Sequence, residues 1–296
     1  MNALELFAST DSKNLERFYD ITKTRSALIN FAKNVYPHHH KYRLVERAGK
    51  TDLVVIIPTH SVTDESTQKV AGKFKGQHII FIESKGIDPT FRYSDNVNLA
   101  LKYSLRYKPE WIVVVDNDVV IHDTLNNLKK NLLNMPSSID IISSSSHTET
   151  TVLLKKTGLS DMLLYLRNRI LKKKISIKCQ TLLKKYNVDY IMRTDARPFE
   201  KIIDHYKTAA CFFVFRAQFV KNLNGYVYST DFIHGGEDTT LCLRYQNLLQ
   251  VINWRISDSG RTLAGAGDRR ALKNIVGTVL VDRFIKDSLL NVSGSK

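Results

Sequence analysis

The chain has 296 residues, 43% hydrophobic and 25% charged, a composition that excludes a disordered or fibrous protein and suffices for one large α/β core. Its formal net charge of +15 calls for an anionic partner: nucleotide phosphates, nucleic acid or an anionic membrane face. Cys179, Cys211 and Cys242 form no CxxC pair, which excludes the usual zinc and disulfide frameworks. No apolar run approaches the roughly 18 residues of a spanning helix, and no basic segment followed by an apolar core heads the chain. A cytoplasmic, reducing setting is expected.

Residues 1 to about 50 read as helical, with Leu4, Phe7, Leu15, Phe18, Ile21 and Leu28 among polar residues. His38-His39-His40 follows Pro37 and reads as a loop. The first strand is Leu53 to Ile57, stopped by Pro58-Thr59-His60, because proline cannot continue a central ladder. A polar stretch from Ser61 opens a short helix. The second strand, His78 to Glu83, ends in a carboxylate. A helix is predicted over 96–107, with Val97, Leu101 and Leu105 on one side.

Trp111 to Val115 then forms an unbroken apolar run that stops at Asp116-Asn117-Asp118. A strand without polar residues on either face is normally buried on both sides. Ligands in open α/β sheets collect beyond the carboxyl ends of strands. Two carboxylates there suit a metal ion and a phosphorylated ligand; the same residues also suit an ordinary turn. A helix capped by Asp123 or Thr124, with Leu125, Leu128 and Leu132, and a strand at Ile139–Ile142 follow. Strands alternating with helices at this pitch predict a mixed, mostly parallel sheet flanked by helices.

From Thr151 to Tyr186 ten Lys/Arg stand against one acid, Asp161. Leucines and isoleucines at helical spacing make this one or two basic amphipathic helices. They either lie on an anionic membrane surface through 159–186 or pack an apolar stripe on the core and solvate their lysines. The sheet resumes at Ala209–Arg216. A short helix leads to Asn224-Gly225-Tyr226, and Glu237-Asp238 opens another helix after Gly235-Gly236. Acids in a first helical turn suit the macrodipole, so this pair reads equally as a plain cap. A strand over 250–256, a Gly- and Arg-rich loop from Ser259 and a final amphipathic helix from Leu272 complete the chain.

Taken in order, these pieces resemble the family 2 glycosyltransferases, most closely the rhamnosyltransferase-like branch. The motifs are Val54-Val55-Ile56-Ile57-Pro58-Thr59, Asn98-Leu99-Ala100-Leu101, the DxD-like Asp116-Asn117-Asp118, and Gly236-Glu237-Asp238-Thr239-Thr240-Leu241-Cys242-Leu243-Arg244. The resemblance covers about Thr51 to Ile256. It implies a GT-A fold: an N-terminal helical extension (1–50), a transferase domain (51–265) and a helical tail (266–296). Within the domain it implies a donor half over 51–146, a basic insertion over 151–207 and an acceptor half over 208–265. Two departures stand out. The insertion is long, and where members often carry a metal-binding His this chain has Ile256-Ser257-Asp258-Ser259, with Asp258 as the substitute.

The resemblance further implies metal-dependent, inverting transfer from a UDP- or dTDP-sugar to a hydroxyl on a glycan, lipid-linked or protein acceptor. By that resemblance Asp118 should ligate Mg2+ or Mn2+, and Asp116 should face the ribose or reach the metal through water. Pro58, Thr59, His60, Glu83, Asn98 and Asn117 should likewise line the nucleotide-sugar site, with Glu83 accepting from the base. Asp238, or else Glu237, is the general base, and Arg244 beside Gly236 meets phosphate or acceptor. One base and one displacement invert the anomeric centre, whereas retention by double displacement needs a nucleophilic carboxylate. The rivals are an inactive GT-A-like scaffold, a sugar-nucleotide pyrophosphorylase lacking its Gly-rich opening loop, and a basic nucleic-acid binder. No docking module for nucleic acid is visible, so no specific nucleic acid is expected.

Overall fold

The computed structural model describes residues 1–37, 42–84, 92–144, 148–193, 199, 201–208, 211–233, 235–258 and 268–289. The expected loops at His38–His40 and at 259–267, and His234, lie outside these residues.

The runs that read as buried strands form a seven-stranded sheet. Its strands are β1 (Tyr42–Arg47), β2 (Lys50–Thr59), β3 (Gln77–Ser84), β4 (Trp111–Val115), β6 (Ile141–Ser144), β10 (Phe212–Arg216) and β11 (Leu249–Ile252), in the order β1-β3-β2-β4-β10-β6-β11. β3, β2 and β4 pair in parallel, as do β6 and β11. β10 runs antiparallel to both its neighbours, and β1 runs antiparallel to β3. Five of the seven strands therefore point one way.

Strand periodicity sorts the core into two layers. Leu53, Val55, Ile57, Val113, Val115, Phe212 and Val214 face one side, against α4 (Glu65–Lys73) and α6 (Leu125–Leu133). Val54, Ile56, Ile112, Val114, Phe213 and Phe215 face the other, against α5 (Tyr93–Ser104), α9 (Ala217–Asn222) and α10 (Glu237–Tyr245). Burying one such valine or phenylalanine contributes about 1.5–3 kcal/mol, so this sandwich holds the strand ends in place. β5 (Val119–Ile121) leaves the sheet and pairs with β12 (Ile256–Asp258).

Three expectations change. The helical N-terminus stops at Val35, and Tyr42–Arg47 is an edge strand, its charged residues exposed as an edge requires. The insertion is not purely helical. α7 (Gly158–Ile170) and α8 (Lys174–Lys185) join β7 (Thr148–Lys155) to β8 (Tyr190–Arg193), and with β9 (Lys201–Thr208) these strands make an antiparallel sheet ordered β8-β7-β9. The β-branched run in β7 favours a strand once two partners are present. Third, the two ends of the chain are not separate appendages. α1 (Ala3–Ala8), α2 (Ser12–Ile21), α3 (Arg25–Asn30) and α11 (Asp268–Phe284) share one core with α8, through Phe7, Phe18, Leu28, Tyr186, Val276 and Val279. Asp282, fully buried, receives Arg25 at 2.7 Å and the backbone N–H groups of Asp189 and Tyr190 at 2.8 and 2.9 Å, tying that body to the insertion.

Candidate active site

The carboxyl ends of β3, β2 and β4 lie side by side, so Glu83, Thr59-His60 and Asp116 succeed one another along one edge of the sheet. Asp116 continues the pairing of β4, its N–H donating to Cys211 O at 3.0 Å. The chain then turns through Asn117 and Asp118, all three residues half-buried. The Asn117 amide donates to the hydroxyls of Thr59 and Thr67, both at 3.1 Å, and those hydroxyls are 2.7 Å apart. Asn117 thus pins the turn to β2 and α4. Asp258 is opposite Val119 in the β12–β5 register, one residue past Asp118.

Tyr93 opens α5 and donates its hydroxyl to Asp116 Oδ1 at 3.1 Å. Its ring meets that of Tyr228 edge-on, with centroids 5.9 Å apart. Tyr228 is buried, and its hydroxyl has no hydrogen-bond partner among the described residues. Burial first, and then the charges of Asp116, Glu237 and Asp238, push its pKa well above the ordinary value. Tyr93 is pushed up in the same way, by burial and then by Asp116, with Glu237 also acting on it. The charges of the two acidic motifs, more than 110 residues apart in sequence, therefore both act on this pair of tyrosines. Neither tyrosine carries a sequence signal: Tyr93 lies three residues before the predicted helix start at Asn96, and Tyr228 follows the Asn224-Gly225 turn with no motif of its own.

Glu237 and Asp238 start α10 behind Gly236, which sits at φ 108°. A Cβ on Gly236 would stand 2.6 Å from the Phe232 ring, so glycine is needed for both conformation and space. Asp238 Oδ1 accepts from Thr239 N at 2.7 Å, which orients the carboxylate.

Other expected site residues have different surroundings. Glu83 is buried and accepts from Arg43 Nε at 2.8 Å, Arg43 Nη2 at 3.1 Å and Val62 N at 2.9 Å. It braces the edge strand and the loop after β2. The buried amide of Asn98 makes two bonds with the Tyr228 backbone, Nδ2 to O at 2.7 Å and N to Oδ1 at 2.9 Å, and so holds the tyrosine. Arg244 is in the last turn of α10, its guanidinium 5.4 Å from the Phe284 ring. Pro58, expected to stop the first strand, is instead buried within β2: it pairs opposite Ile82 of β3, while the ladder to β4 ends at Ile56, so the missing N–H falls where that second ladder has stopped. His60 Nδ1 is buried and has no hydrogen-bond partner among the described residues.

Among the described residues no group of three or more His, Cys, Asp or Glu side chains is disposed to hold a metal ion. Asp116 and Asp118 offer hard carboxylate oxygens, which suit Mg2+ or Mn2+ only if other oxygen ligands complete the shell.

No family model and no curated protein matches this chain. Among solved structures it is similar to A197 from STIV, with 11% identity, a TM-score of 0.39 and coverage of 68% of this chain and 81% of that one. That likeness is loose, and the fold stands on the strand pairing described above.

Proposed function

We propose that this chain is a GT-A-type, inverting glycosyltransferase that moves a sugar from a nucleotide-diphosphate donor, UDP- or dTDP-linked, to a hydroxyl acceptor. The observation that carries this reading is the chain of contacts from Asp116 to α10: Tyr93 donates to Asp116 at 3.1 Å, its ring meets that of Tyr228, and Tyr228 shares one core layer with Leu241 and Cys242 of α10, the helix that Glu237 and Asp238 open. Donor-side and acceptor-side carboxylates at one place are what single displacement requires.

Asp118 and Asp116 would hold a divalent cation through their carboxylate oxygens, and further oxygen ligands would have to come from the donor. Bound there, Mg2+ or Mn2+ would neutralise charge on the departing diphosphate. Asp238 takes the proton from the acceptor hydroxyl, with Glu237 beside it. Tyr93 holds Asp116 in place. The buried His60 Nδ1 and Tyr228 hydroxyl are polar groups that a donor or acceptor can satisfy. Since Glu83 already accepts from Arg43 and Val62, it serves this site chiefly by bracing the loop after β2.

The test is thermal denaturation with UDP-, GDP- and dTDP-sugars, with and without Mn2+. Stabilisation by one nucleotide class, dependent on metal and lost in Asp118→Asn, is the expected result. A ligand at a hundred times its Kd adds about 2.7 kcal/mol, which is readily seen. No response to any donor would sink the proposal. Retained transfer in Asp238→Asn with loss in Glu237→Gln would exchange the roles of those two acids.

A further inference from the structure

The insertion helices treat their apolar residues in opposite ways. α8 packs Leu182 and Tyr186 into the helical body, with Ile175, Cys179 and Leu183 against it. Two of its lysines also bond to that body: Lys185 Nζ donates to Tyr19 O at 2.6 Å, and Lys178 meets Glu16 at 3.6 Å.

α7 does the reverse. The residues it buries are Ser160 and Asn168, with Leu164 half-buried between them, and Gln180 of α8 donates to Asp161 O at 2.6 Å on that underside. Leu159, Met162, Leu163, Leu166 and Ile170 are 43 to 78% exposed. At 3.6 residues per turn these five fall within an arc of about 100°, contiguous and turned to solvent. The same projection puts Arg169 at one border of the arc and Arg167 at the other. Lys172, Lys173 and Lys174 follow at the helix end, all exposed. None of these five cations has an ion pair among the described residues.

We propose that α7 is an interfacial helix that seats this protein on an anionic membrane surface, its leucine face in the headgroup–acyl boundary and its arginines on lipid phosphates. A helix inverted in this way loses apolar burial in water and regains it only against another apolar phase. The flanking cations select a negatively charged one. No described helix is long and apolar enough to cross a membrane, so the contact lies along the surface. It is independent of the chemistry proposed for the acidic site.

The full chain is floated with vesicles of phosphatidylcholine alone and with about 30% phosphatidylserine. Binding at least tenfold stronger to the anionic vesicles, weakened by salt, is expected. Leu163→Ser/Leu166→Ser, whose exposed positions leave the thermal midpoint unchanged, should lose that binding about tenfold or more. Arg167→Gln/Arg169→Gln should lose roughly fivefold per charge. Absence of wild-type binding, or equal binding by the leucine variant, overturns the proposal. So does a wild-type dimer in light scattering that the leucine variant disperses, which would make this face a contact between two copies.

Discussion

Asn98 distinguishes a ligand-binding residue from one that holds the site together. Its amide occupies both backbone groups of Tyr228, and both residues are almost wholly buried. Asn98→Ala strands one buried N–H and one buried C=O. Each stranded group costs about 1–3 kcal/mol, so the loss should be about 2–6 kcal/mol. At about 2.1 cal/mol/K of unfolding entropy per residue, a chain of 296 residues shifts by roughly 1.6 °C per kcal/mol, so that loss is about 3–10 °C in Tm. Asn98→Asp should be at least as harmful, because it keeps an acceptor for Tyr228 N but turns a carboxylate oxygen toward Tyr228 O. Thermal and urea unfolding without any ligand measure this directly. A Tm within about 2 °C of wild type for Asn98→Ala, with affinity for the proposed donor reduced, would refute the clamp and assign Asn98 to the proposed nucleotide site.

Three further outcomes follow from particular side chains. Burial, with Arg269 beside it, holds Lys273 at about 8, below the ordinary lysine value of 10.5. Between those values the unfolded chain carries a proton that the folded chain lacks, so stability should rise with pH by up to roughly 3 kcal/mol. Lys273→Met should abolish that slope and be more stable than wild type at pH 7; urea melts of both proteins at pH 7 and 10 test it. Glu83→Gln loses the forked contact with Arg43 and should lower Tm by a few degrees while donor affinity changes little, read by calorimetry on the same samples. Gly236→Ala drives a Cβ against Phe232 at a positive φ and should cost several kcal/mol in chemical denaturation.

Local pattern makes much of the sheet legible in the sequence. The apolar runs of β2, β3 and β4, the turn at Asp116–Asp118 and the helices α5 and α10 are all near the expected positions, because their periodicity is set by neighbours in sequence. What escaped depends on partners far along the chain. Tyr42–Arg47 becomes a strand only by pairing with β3, and β7 only by pairing with β8 and β9. The stripe on α7 was legible, but periodicity does not say which side of a helix meets the protein. The amide of Asn98 could be read as a ligand contact because its partner is 130 residues away.

The register of β6 and β10 bears on how such a chain could be dismantled. Ser143 pairs with Phe213 in antiparallel fashion, so the insertion leaves and re-enters the sheet at neighbouring positions, where a tight turn of a few residues would suffice. By connectivity it is an enlarged hairpin loop. By packing it is not dispensable, since Leu182, Tyr186, Val188 and Tyr190 fill the core shared by the two ends of the chain. Excising it should leave a sheet that can still close but a helical body that has lost one wall. Whatever history enlarged this loop, the chain termini now depend on it.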